Sequence, residues 1–182
     1  MLSLIEGVIL RREIDPRKLG WIDERRASTR RGLPANQTYV DLRGFRSVDL
    51  DAVLAEEQAG WDELEASSYA QSAIDALDRR QSATAIVRIV DFGMAAAVVA
   101  VSALGCVPIT SCRGNSLGSR RHEHPAPMLT FYARRLHLDA LMAATAEAAI
   151  SAVNNDAKVE IYTDDLRKMH RFAQALRKHI KA

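Results

Sequence analysis

The 182-residue sequence has two cysteines, five prolines and nine glycines, and aromatic residues make up only 5% of it. Two cysteines cannot staple a secreted scaffold, so a reducing, cytoplasmic setting is expected. Long apolar runs are missing too. The longest, Met94 to Val101, falls far short of the roughly 20 residues a membrane span requires. No basic run precedes an apolar segment at the start, so no secretion signal is expected. Internal repeats, low-complexity tracts and Gly/Ser-rich linkers are absent as well. The expectation is a single domain over 1–182, with a division into 1–84 and 85–182 as the alternative. Neither a Walker motif nor Gly-x-Gly-x-x-Gly occurs, so neither a P-loop nor a dinucleotide fingerprint is read.

The net charge of +2 conceals an uneven layout. Residues 36–85 carry ten acidic against four basic residues, whereas residues 86–135 carry six basic against two acidic. The basic excess gathers at Arg25, Arg26, Arg30 and Arg31, and again at Arg113, Arg120, Arg121, Arg134 and Arg135. Such clusters suit a phosphate or nucleic acid, although the overall balance is well below that of a strongly basic nucleic-acid binder.

Apolar spacing predicts a strand over Leu2–Leu10, a polar loop or arm over Arg25–Asn36 and a short strand over Thr38–Leu42. From Asp49 to about Arg80 the pattern is helical, with a break expected at Gly60. Val53, Leu54, Trp61, Leu64, Ile74 and Leu77 form its apolar faces, and its acidic residues are expected in solvent. A strand is predicted over Ala85–Val90, then a buried Ala/Val helix over Gly93–Leu104, capped by Asp91 and ended by Gly105. Further strands are predicted over Val107–Ser111, Met128–Ala133 and Lys158–Thr163, with an Ala-rich helix over Asp139–Val153. Thr163 is expected to cap a last helix whose stripe is Leu166, Met169, Phe172, Ala173, Leu176 and Ile180. The two tryptophans are expected as core anchors, and His137, His170 and His179 as surface or capping groups. The fold class is therefore α/β (or α+β), with a mixed sheet. Its C-terminal half reads as a split β-α-β, ferredoxin-like unit packed with an α-rich N-terminal half.

One loop concentrates chemistry. Between Thr110 and His124 stand Ser111, Cys112, Arg113, Gly114, Asn115, Ser116, Gly118, Ser119, Arg120, Arg121, His122, Glu123 and His124. Loops longer than about 12–15 residues are uncommon in compact domains and are often functional. Three chemistries fit. Cys112 beside Arg113 could serve as a nucleophile, with His122 or His124 as acid/base and Glu123 orienting the ring. Cys106, Cys112, His122 and His124 are zinc-ligand types, but an extended strand sets the two thiols about 20 Å apart at ~3.3 Å per residue. A smaller set of Cys112, His122 and His124 stays open, and Cys106 reads as packing. Lastly, Gly114 and Gly118 allow close backbone approach, Asn115, Ser116 and Ser119 donate hydrogen bonds, and Arg113, Arg120 and Arg121 supply charge for an anion.

The run Ile109-Thr110-Ser111-Cys112-Arg113-Gly114, with the strand and helix-strand pair that follow over about residues 107–163, resembles the tRNA wybutosine-synthesising methyltransferase family. That family carries a Ser-Ser-Cys-Ser-Gly-Arg type turn. Ser111, Cys112 and Gly114 match it, while Thr110, Arg113 and Asn115 depart from it. The resemblance implies S-adenosylmethionine and tRNA as ligands. The reading from the residues themselves is an anionic-ligand site, for a nucleotide or RNA, or an active site at Cys112–His124. The alternative is a non-catalytic component that binds a partner or forms a homo-oligomer through helix 93–104 and the stripe of helix 164–181.

Overall fold

A computed structural model describes residues 5–22, 45–80, 90–118 and 124–181. The expected strands at Thr38–Leu42 and Ala85–Val90 and the arm at Arg25–Asn36 lie wholly or almost wholly outside those residues. So do Ser119, Arg120, Arg121, His122 and Glu123 of the loop.

Periodicity and burial account for most of the elements. Strand β1 is Arg12–Glu13, followed by helices α1 (Ser47–Ala66), α2 (Gln71–Arg79) and α3 (Ala95–Ala103). Then come β2 (Val107–Cys112), β3 (Met128–Tyr132), α4 (Leu138–Glu147), β4 (Ser151–Asn155), β5 (Lys158–Tyr162) and α5 (Arg167–Arg177). The five strands form one sheet in the order β1-β4-β5-β3-β2, in which only β1 and β4 pair in parallel. Strands β3 and β4 both run antiparallel to β5, which lies between them, and α4 connects them. The class is as expected, α/β or α+β with a mixed sheet, but the split β-α-β unit is closed by β4, within a segment expected to be helical, and the expected strand at Lys158–Thr163 is the antiparallel one between its two strands.

Helix α3 carries no charged residue, and Met94 to Val101 are all buried. It packs against α1, α5, β2 and β3. The α5 stripe is buried in full, against α3 and α4 above all. Both apolar surfaces that the oligomer reading would use are therefore consumed within the chain. One core cluster joins residues from Leu50 to Ile180, so residues on both sides of position 84 share it. No helix among the described residues is long and apolar enough to cross a membrane.

Several expectations are corrected. Ile5–Leu10 is not a strand but contains a turn at Glu6-Gly7, and the chain joins the sheet only at Arg12. Helix α1 runs straight through Gly60 and breaks instead at Ser67–Ala70, where Ser68 and Tyr69 have φ of 52° and 59°. Gly60 is required by packing, because a Cβ there would come 2.5 Å from the Phe92 ring. Phe92 in turn lies on Trp61, with centroids 4.8 Å apart. Helix α3 begins at Ala95 rather than Gly93 and ends, as expected, before Gly105, whose φ is 96°. Asp91 does not cap α3 with its side chain; its main-chain carbonyl accepts from the Met94 N–H. The Ala-rich helix stops at Glu147, because Ala149 takes φ 54° and redirects the chain into β4. At the start of α5, Asp165 rather than Thr163 accepts the first free N–H, from Arg167 at 2.9 Å. Trp61 is a core anchor, whereas Trp21 is half-buried beneath the Arg134 guanidinium at 4.2 Å.

Two of the three histidines are buried rather than on the surface. His137 does cap, its Nδ1 accepting the Arg134 N–H at 3.3 Å at the start of the turn before α4, and the same Nδ1 lies 3.4 Å from the Cys106 sulfur. His170 is buried against Glu57, with Nδ1 3.0 Å from Oε2. Glu57 is 0% exposed, against the expectation that acidic residues of this helix face solvent. Its Oε1 accepts the Ala96 N–H at 3.0 Å, so it closes the otherwise bare N-terminus of α3 from the neighbouring helix.

Candidate functional site

The described part of the loop begins where β2 ends, and most of it turns inward. Cys112 is buried as the last residue of the strand. Its sulfur receives the Gly114 N–H at 3.3 Å and also the His124 backbone N–H. Burial raises the Cys112 pKa, and the nearby Asp91 carboxylate adds to that, outweighing these two amides and Arg113. A raised thiol pKa means less thiolate at neutral pH, which works against the nucleophile reading. His124 is exposed.

Arg113 is 6% exposed and already has a carboxylate partner. Its NH1 and NH2 donate to the two oxygens of Asp78, at the end of α2, at 2.6 and 2.7 Å. Its backbone N–H points to Asp91 Oδ2 at 3.4 Å. The guanidinium fork is thus spent on holding α2 to the loop, and its charge is offset before any ligand arrives.

Gly114 has φ 64°, and a Cβ there would meet the Ala126 carbonyl carbon at 2.6 Å and Pro125 O at 2.7 Å. Backbone cannot yield to such an approach, so only glycine fits. The Asn115 N–H donates to Pro125 O at 3.1 Å and ties the loop's outgoing and returning limbs together. Asn115 and Gly118 are exposed, Ser111 is half-buried, and Ser116 and Leu117 are buried. The Ser116 hydroxyl and the Arg113 Nε are buried with no hydrogen-bond partner among the described residues.

The structure therefore brings together Ser111, Cys112, Arg113, Gly114, Asn115, Ser116 and the backbone of His124. Asp78 was missed by the sequence reading. It precedes Arg113 by 35 residues in a helix whose pattern does not single it out. Cys106 is buried at the opposite end of β2, which agrees with a packing role and with its separation from Cys112. Among the described residues, no group of three or more His, Cys, Asp or Glu stands ready to hold a metal ion. No family model matches the chain, and neither does any curated protein or solved structure.

Proposed function

We propose that the protein binds an anionic ligand of the nucleotide or RNA class at the Cys112–His124 loop. The observation that supports this reading is the pair of buried donors, Arg113 Nε–H and Ser116 Oγ–H, which have no acceptor among the described residues. Each unsatisfied buried donor costs about 1–3 kcal/mol, and native proteins retain few of them. A phosphate presents several oxygen acceptors and recovers that cost on binding. The ligand's negative charge is assigned to Arg120 and Arg121, since Asp78 already occupies Arg113. Gly114 and Asn115 supply the tight turn, and Cys112 serves as wall rather than nucleophile. An enzymatic version would assign acid/base work to His122 or His124, with Glu123 beside them.

Thermal unfolding in the presence of mononucleotides, short RNA, S-adenosylmethionine and tRNA tests this proposal. The last two are the ligands implied by the resemblance around Ser111, Cys112 and Gly114. A ligand at 100 times its Kd adds about 2.7 kcal/mol to apparent stability, a readily measured rise in Tm. A nucleotide or RNA shift supports the reading, and no shift with any of the four contradicts it.

A further inference from the structure

The end of the sheet opposite the loop, where β3 stops and β2 begins, carries a second cluster of cations. Segment 15–22 runs past the strand ends there. Its Gly20 N–H donates to Ala157 O in the β4–β5 turn at 2.8 Å, and Ile22 packs against Val107, the first residue of β2. Arg134 and Arg135, just beyond β3, both rest on this segment. Arg135 Nε donates to Pro16 O at 3.1 Å, and the Arg134 guanidinium lies 4.2 Å from the centre of the Trp21 ring. The length of β2, roughly 17 Å at ~3.3 Å per residue, separates this end from Cys112.

The charges here are only partly offset. Arg17 is spent on Asp15, whose two oxygens it meets at 3.0 and 3.1 Å, and Lys158 lies 3.8 Å from Asp156. Lys18, Arg134 and Arg135 are exposed and have no carboxylate partner among the described residues. The next carboxylate after Arg135 is Asp139, in the first turn of α4, so cations remain in excess. Leu136, the residue after Arg135, is 74% exposed. The indole beneath Arg134 holds its guanidinium as a flat, charged plate, and because Arg134 is exposed the outer face of that plate is open.

We propose that this surface binds a single-stranded nucleic acid, with a base stacked on the Arg134 guanidinium, Leu136 at the edge of the base, and phosphates on Lys18 and Arg135. Bases stack on arginine planes as they do on aromatic rings, and the phosphates between them call for cations at the flank. An acidic peptide supplies the charge without the planar face. An anionic bilayer supplies the charge too, but Leu136 alone offers it little apolar surface to bury. The inference goes beyond the loop reading and does not depend on it.

Fluorescence anisotropy of labelled short oligo(U) RNA and oligo(dU) DNA on the full chain, over a series of salt concentrations, measures this directly. Lys18→Ala and Arg135→Ala are each expected to weaken binding about fourfold near physiological salt and to flatten the slope of log K against log salt by about 0.7, with Tm unchanged. Arg134→Lys keeps the charge and removes the plate, so the slope should hold while affinity falls about fivefold or more. Binding of either oligonucleotide with these responses supports the proposal, and a preference for oligo(U) identifies the strand as RNA. No binding of either oligonucleotide, affinity unchanged in both Arg135→Ala and Arg134→Lys, or tighter binding to phosphatidylserine vesicles or polyglutamate than to both oligonucleotides would overturn it. The Arg135→Ala slope change is expected in a Ser116→Ala background as well. A rise in Tm with mononucleotides is expected to survive Arg135→Ala, so this surface and the loop succeed or fail separately.

Discussion

Around the N-terminal end of α3 the apolar core admits polar groups twice. On one side Glu57, His170 and Gln174 form a chain in which Glu57 meets the Ala96 N–H and the imidazole, and the imidazole meets the amide. On the other side Arg113 reaches Asp78, yet its Nε and the Ser116 hydroxyl find no partner among the described residues. The first arrangement is complete without a ligand and binds α1, α3 and α5 together. The second carries a cost that the described residues do not recover. Buried networks of the first kind fasten a core, whereas orphaned donors point to something that completes them.

The largest expected effect comes from breaking the completed side. Glu57→Ala leaves a buried N–H and the Nδ1 side of a buried imidazole unpaired, and urea unfolding should show a loss of about 1–3 kcal/mol for each, about 2–6 kcal/mol together. A loss below about 1 kcal/mol would mean that the network holds little together. On the loop side Asp78→Ala strands the buried Arg113, but the partly exposed position of Asp78 lets water take its place. About 1–3 kcal/mol is expected. Gly60→Ala should cost about 1–3 kcal/mol by overpacking Phe92. If Gly60 instead marked a break, as its spacing suggests, the same change would be neutral or stabilising.

Smaller still is the response to pH. Burial lowers the His137 pKa, with the Arg134 charge adding to the effect, so the folded state prefers the neutral ring. Its contribution to stability is complete above the unfolded histidine pKa of about 6.5 and is lost as pH falls from there through the lowered native value. Urea midpoints measured downward from pH 7 should show this, and the decline should be shallower in His137→Gln. Cys112 titrates in the opposite sense. Its raised pKa makes iodoacetamide alkylation near pH 8 slower than that of an unstructured cysteine. Faster alkylation would restore the nucleophile reading.

How far the fold could be read from the residues follows from which contacts are local. The α5 stripe, the uncharged α3 and the strands around Val107 and Lys158 depend on periodicity, which a short window contains. β4 was lost because Ser151 to Asn155 follows an alanine-rich helix without a glycine or proline, and Ala149 makes the break itself. Gly60 resembles a break locally but exists for Phe92, 32 residues later. Glu57 was legible in principle, since it falls among Leu50, Val53, Gly60, Trp61 and Leu64 on the buried face of α1. Its partner His170 lies 113 residues away, so a charged residue there read as solvated. In the loop the residue types stood out, but the pairing of Arg113 with Asp78 crosses between elements that no local pattern connects.

The most direct measurement of the account is calorimetric titration of wild type and Ser116→Ala with the nucleotide or RNA that raises Tm, alongside their unfolding in urea without ligand. Loss of one orphaned donor should leave the unliganded protein as stable as wild type or slightly more so. It should weaken the ligand by about 5- to 150-fold, the equivalent of about 1–3 kcal/mol. A Ser116→Ala protein that is clearly less stable alone but binds ligand as tightly as wild type would contradict the account.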